Sequence, residues 1–137
     1  MIVIDASAII GFILHEENWE EILNYIKSRK PLYSLDLIMK EASSAIWKHT
    51  ILRGIIPIDF AKELYERLEK LIITKVIILE NELTYLKKAL EIALRNNITI
   101  YDALYISQAE KYGELLTLDI KQAEVAKKLG IKTYNFS

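Results

Sequence analysis

Four acidic residues, Asp5, Glu41, Asp102 and Asp119, stand where apolar runs meet helical segments. Asp5 is the least ordinary of them. It interrupts "MIVIDASAII", with four apolar residues before it and apolar residues again after two small ones. An ionised carboxylate in partly buried surroundings is costly unless something pairs with it or coordinates it. Gathered at one place, the four acids would repel one another. Each pair of like charges at ~4 Å costs about 4 kcal/mol at an effective dielectric of 20. Such a cluster takes up protons or binds a cation. Carboxylates without Cys or His suit hard ions, Mg²⁺ or Mn²⁺. The chain has no cysteine, and His15 has no partner at a metal-binding spacing.

Each acid also has a structural reading. Asp119 followed by Gln122 has the form of a capping box. Asp102 sits at a helix start, three residues after Thr99. Glu41 lies in the first turns of its helix, where acids are favoured. For Asp5 a capping role is less natural, because Ser7 is the better cap for the helix that follows.

The elements that must position these acids alternate in type. "MIVID" is short, continuous and β-branched, as in a buried parallel strand. A helix is expected from about Ser7 and another over Trp19–Ser28, with "PLYSL" a strand after it. Asp36 can cap a long helix running to Arg53, ended by Gly54 and Pro57. Asp59 can cap the next, whose apolar stripe is Phe60, Leu64, Leu68, Leu71 and Ile72. "KVIIL" is a strand, Leu83 to Leu94 a helix, and Asp102 to Tyr112 a helix closed by Gly113. "ELLTL" is a strand, Ile120 to Leu129 a helix, and "IKTYNF" a last strand.

This alternation implies a three-layer α/β/α sandwich around a mostly parallel sheet. In such sheets ligands bind beyond the carboxyl ends of the strands. Asp5 ends the first strand and Asp119 follows "LLTL", so topology alone sends both to the same edge.

The 137 residues read as one domain, 1–137. With 52% hydrophobic and 27% charged residues, the composition is that of a globular chain, neither disordered nor fibrous. The formal net charge of −1 gives no global pull toward nucleic acid, although a local basic patch remains open. The apolar start lacks a basic leader and is broken by Asp5, and no apolar run approaches the ~18 residues of a membrane span. A cytoplasmic protein is expected.

"VIDASAII", "MKEASSAIW", "IYDALYISQAEKYG" and "LLTLD" occur in the order and at about the spacing found in PIN-domain ribonucleases. The chain resembles their compact VapC type, the toxins of toxin–antitoxin pairs, over nearly its whole length. The resemblance implies a metal-dependent endoribonuclease that leaves a 5′-phosphate, with Mg²⁺ or Mn²⁺ as cofactor. It puts the family's acids on Asp5, Glu41, Asp102 and Asp119, as catalytic residues and metal ligands. It puts the family's small hydroxyl residue on Ser7, which could bond a phosphate or a metal-bound water. Lys40, Lys48, His49 and Arg53, on or near the Glu41 helix, are candidates for the RNA backbone. The resemblance also implies a small antitoxin partner and a homodimer, for which apolar residues between Phe60 and Leu94 are available.

Three other readings stay open at this point. A receiver-like module needs a carboxylate pair at the first strand and an acceptor Asp after a middle strand, and "KVIILEN" offers none. A PIN-like binding adaptor would be marked by lost acids. A PIN nuclease for RNA maturation, without an antitoxin, has the same acids as a toxin.

Overall fold

In the computed structural model, which describes residues 1–136, five strands form one sheet in the order β3-β2-β1-β4-β5, every neighbouring pair parallel. The strands are β1 (Ile2–Ile4), β2 (Leu32–Leu35), β3 (Ile77–Glu80), β4 (Glu114–Leu116) and β5 (Lys132–Tyr134). Seven α-helices cover them: α1 (Ala6–Ile13), α2 (Trp19–Arg29), α3 (Leu37–Trp47), α4 (Ile58–Ile73), α5 (Leu86–Asn96), α6 (Ile100–Tyr112) and α7 (Ile120–Lys128). The result is the three-layer sandwich expected from the alternation. No helix among the described residues is long and apolar enough to cross a membrane.

Strand β1 lies at the centre, and Ile2, Val3 and Ile4 are fully buried, as a strand covered on both faces requires. Its register against β4 pairs Ile2 with Glu114 and Ile4 with Leu116. Helix α6 packs on β1, β2 and β4 and against α5, while α1 packs on α2, α3 and α4. Gly11 permits a close approach: a Cβ there would stand 2.6 Å from Leu118 Cδ1. Helix α1 is thereby seated against the segment that follows β4.

A polar seam runs through this core. Ser34 Oγ is buried and donates to the Ile4 carbonyl at 2.7 Å, and Gln108 Nε2 donates to the Ser34 carbonyl at 2.8 Å. Gln108 also reaches Glu80 Oε1 at 3.0 Å, where Tyr85 OH donates at 2.6 Å; Tyr112 OH donates to Oε2 at 2.9 Å. Burial pushes the Glu80 carboxyl up, but these three donors and the Lys111 charge outweigh it and hold the group below its ordinary value. Ser34→Ala removes a buried donor and leaves the Ile4 carbonyl short of it. The expected loss is about 1–2 kcal/mol in urea unfolding; a change within ±0.3 kcal/mol would mean the bond contributes nothing net.

Some local expectations are corrected. The Asp36–Arg53 helix is two elements, α3 and a π-helical turn over Lys48–Leu52. Asp36 stands at the cap position but makes no capping bond; its Oδ1 accepts from Glu82 N at 3.1 Å, beyond the end of β3. Pro57, not Asp59, precedes α4, and Asp59 lies in its first turn. Residues 82–84 form a 3₁₀ turn, so α5 starts only at Leu86.

Candidate active site

Three of the acids stand at or next to element boundaries at the carboxyl-terminal edge of the sheet, and Glu41 one turn into a helix that starts there. Asp5 directly follows β1 and caps α1, its Oδ1 accepting from Ala8 N at 3.0 Å. Asp119 follows β4 and caps α7, its Oδ1 accepting from Gln122 N at 3.0 Å; this is only half of the expected capping box, because Asp119 N–H goes to Thr117 Oγ1 and the Gln122 side chain to Asp102. Asp102 lies in the first turn of α6, where Thr99 is the cap and accepts from Asp102 N at 3.2 Å. Glu41 lies in the second turn of α3. Helices that return to a parallel sheet start at the edge where the strands end, so α3 and α6 bring their acids to the edge reached by Asp5 and Asp119. Gln122 Nε2 ties the start of α7 to α6 by donating to the Asp102 carbonyl at 3.2 Å.

Asp5 is 1% exposed. Thr117 Oγ1 donates to its Oδ2 at 2.5 Å and Ser7 Oγ to its Oδ1 at 2.8 Å. Burial pushes the Asp5 carboxyl from 3.8 up to about 7; the bonds from Thr117, Ala8 and Ser7 oppose the rise and the Asp119 charge adds to it. Three donors fill three of the roughly four acceptor positions of a carboxylate. One remains. Burial likewise raises Glu41, with the charges of Asp102 and Glu82 adding to it and the bond from Tyr105 opposing. Asp102 is raised by burial and by the Asp119 charge. The four acids thus sense one another in sequence, Asp5 to Asp119 to Asp102 to Glu41.

Ser7 does not cap α1. Its hydroxyl gives its proton to Asp5 and accepts from Leu118 N at 2.9 Å, so it fastens the acid to the loop after β4. Thr117 Oγ1 also accepts from Asp119 N at 3.0 Å, which links the two strand-end acids through one hydroxyl. Two participants were not singled out from the sequence. Tyr105 OH donates to Glu41 Oε1 at 2.6 Å. Its one available signal was its place three residues after Asp102, on the same face of a helix. Glu82, half-buried, adds negative charge at Glu41, and no local pattern marks it.

Glu41 also lines a cleft of about 330 Å³ with Ser44, Lys48, His49 and Arg53. The π-helical turn shapes this wall: His49 Nδ1 lies 3.0 Å from the Ala45 carbonyl and Arg53 Nη1 3.4 Å from His49 Nε2. Lys40 is exposed but does not line the cleft, since it sits one residue, about 100°, around α3 from Glu41.

Among the described residues no three His, Cys, Asp or Glu side chains are gathered closely enough to hold a metal ion unaided. The donor set nevertheless suits Mg²⁺ or Mn²⁺. All four groups are carboxylates, three of them are held above their ordinary range, and Mg²⁺ keeps several of its waters and needs few direct ligands.

The description "PIN domain" fits residues 2–128. Ribonuclease VapC3 of Pyrobaculum aerophilum is 36% identical over 124 residues, covering 90% of this chain and 92% of that protein. Exonuclease VapC9 of the same organism is 32% identical over 113 residues, 82% of this chain and 75% of its own. The crystal structure of PAE2754, also from Pyrobaculum aerophilum, superposes with a TM-score of 0.68 at 28% identity, covering 97% of this chain and 92% of that one. The chain belongs to the PIN-domain family, as a member of its VapC type.

Proposed function

We propose that this protein is a divalent-metal-dependent endoribonuclease that hydrolyses RNA phosphodiester bonds and leaves a 5′-phosphate. The observation that carries the reading is Asp5, a buried carboxylate held by three donors, raised to about 7 and electrostatically continuous with three further acids at one sheet edge. The ribonuclease names of the relatives support the same reading.

In this proposal Asp5, Glu41, Asp102 and Asp119 hold the cation, directly or through its waters. When bound, Mg²⁺ or Mn²⁺ lowers the pKa of an attacking water and neutralises charge on the phosphate. The residues of the chain then act as follows. Asp5 supplies its one uncommitted acceptor position, fixed in direction by Ser7, Thr117 and Ala8. Asp119 and Asp102 stand at the starts of α7 and α6, where their orientation is set by the helix frames. Lys48 and Arg53 line the cleft beside Glu41 and contact RNA phosphates, with His49 between them. Lys40 extends this basic face outside the cleft.

Incubation of the protein with total RNA and Mn²⁺ should release fragments bearing 5′-phosphates, and excess chelator should abolish their release. A circular RNA separates the internal cut proposed here from the end-dependent action named for VapC9. If only linear RNA is degraded, the endonuclease reading fails. Lys48→Ala and Arg53→Ala should weaken RNA binding across sequences and each flatten the plot of log affinity against log salt by about 0.7. An unchanged slope for both would remove the cleft from the RNA path.

The VapC relationship supports a toxin role, with a small antitoxin as partner, in the cytoplasm. Leu83, Leu86, Leu90 and Leu94 on and before α5 are exposed, which supports a homodimer that covers them. Co-purification from the native host should yield a small second chain. Its repeated absence, with no adjacent antitoxin gene, would favour RNA maturation instead.

A further inference from the structure

Resting on the reading of Glu41 as a cation ligand, we infer that Tyr105 is a positioning residue that holds the Glu41 carboxylate in its ligating orientation. Tyr105 is 2% exposed, rooted in α6 where that helix packs on β1 and β2. Its hydroxyl crosses from α6 to α3 and donates to Glu41 Oε1 at 2.6 Å, the length of a strong, charge-assisted bond. Glu41 has no other hydrogen bond of its side chain to a described residue among those observed, so this contact alone selects one of its rotamers. One oxygen is occupied by the phenol. The second is left for the cleft that Glu41 lines with Lys48 and Arg53.

The arrangement solves a problem of reach. Asp5 and Asp119 are bound by the backbone at helix starts and move little. Glu41 has a longer side chain with more rotamers, on a helix wall and beside a half-buried Glu82 that repels it. Without a donor it would turn toward water. Tyr105 anchors it from the rigid core side. A residue that orients a metal ligand in this way commonly contributes about 10–100-fold in metal affinity or activity.

Tyr105→Phe keeps the ring and removes only the bond. Mn²⁺ binding is measured by calorimetry or by the electron paramagnetic resonance of free Mn²⁺, for the wild type, Tyr105→Phe, Glu41→Gln and the double variant. Thermal melting of each without metal is recorded alongside. The expected result is about 10–100-fold weaker Mn²⁺ binding in Tyr105→Phe. In the Glu41→Gln background the same substitution should have little further effect, because the ligand it orients is already lost. Additive losses in the double variant, or wild-type affinity in Tyr105→Phe, overturn the positioning role while leaving the nuclease reading intact. A wild-type protein that neither binds Mn²⁺ nor cleaves RNA overturns both. If Tyr105→Phe melts far lower than wild type, Tyr105→His, which restores a donor on a shorter reach, serves as the second variant. Failure of that variant to recover any Mn²⁺ affinity over Tyr105→Phe, at matched folded fraction, overturns the assignment.

Discussion

Asp5→Asn is expected to lose RNA cleavage by more than ~100-fold, beyond the range typical of residues that only support a ligand, and to lose Mn²⁺ binding with it. A neutral amide is a poor ligand for a hard cation. The fold should tolerate the change. Oδ1 of the new side chain can still accept from Ala8 N and Ser7 Oγ, as Asp5 does at 3.0 and 2.8 Å. The amide nitrogen then faces Thr117 Oγ1, whose proton can turn toward Ser7, 3.2 Å away. The variant therefore keeps a bonded network and sheds a buried charge. At pH 8 the metal-free variant should be at least as stable as wild type. If Asp5 served the fold alone, the mispaired group would cost about 1–3 kcal/mol. A marked loss of stability, with cleavage lowered only in proportion to the folded fraction, would assign this carboxylate to structure.

The second expected result is a stability that falls as pH rises, with a fall that bound metal partly offsets. The Asp5 carboxyl keeps its proton up to about 7 in the folded protein and has an ordinary value of 3.8. Between those values the native state binds more protons than the unfolded chain, so stability falls as pH rises. Below the lower value both states are protonated and Asp5 brings no penalty; above the upper one the penalty is complete. The difference of about three units corresponds to roughly 4 kcal/mol, and the raised Glu41 and Asp102 act in the same direction. Saturating Mn²⁺ should oppose this decline, since it binds the deprotonated acids and adds about 2.7 kcal/mol at 100 times its Kd. Urea unfolding from pH 4 to 8.5, with and without Mn²⁺, gives both curves. Asp5→Asn should flatten the metal-free one. A metal-free curve that rises from pH 5 to 8 would contradict the burial argument, and superposed curves with and without Mn²⁺ would contradict a cation site.

The order of elements was readable because β1 to β4 are short, largely apolar runs between helical periods, and because a parallel sheet fixes where its strands end. That was enough to send Asp5 and Asp119 to one edge. The acids' hydrogen-bond partners were far less readable. Ser7 looked like a cap because caps are local, yet its hydroxyl is claimed by Asp5 and by the backbone of Leu118, 111 positions away. Asp36 occupied a cap position, but a backbone donor at Glu82 won its carboxylate. The bond between Tyr105 and Glu41 spans 64 positions and two helices, a distance no periodicity relates. "ELLTL" ends as a strand at Leu116: Thr117 N–H makes the last ladder bond, to the Tyr134 carbonyl of β5, while its hydroxyl goes to Asp5, a partner 112 positions away. The long helix from Asp36 misled for a different reason. No Gly or Pro interrupts it before Gly54, so nothing local marks the change to a π-helical turn at Lys48.

The central place of β1 has a consequence for synthesis. Strand β1 is made before both of its neighbours, β2 and β4, and β4 begins only at Glu114. A chain emerging from the ribosome can pair β1 with β2 early, but that leaves the other edge of β1 open and Asp5 without the Thr117 hydroxyl. Contacts closed across such a span are slow to form and late in time. A nascent chain shorter than Asp119 lacks the fourth acid and the loop that fastens the first. The geometry described above therefore cannot exist on an unfinished polypeptide, and a cell meets it only after most of the chain has been translated.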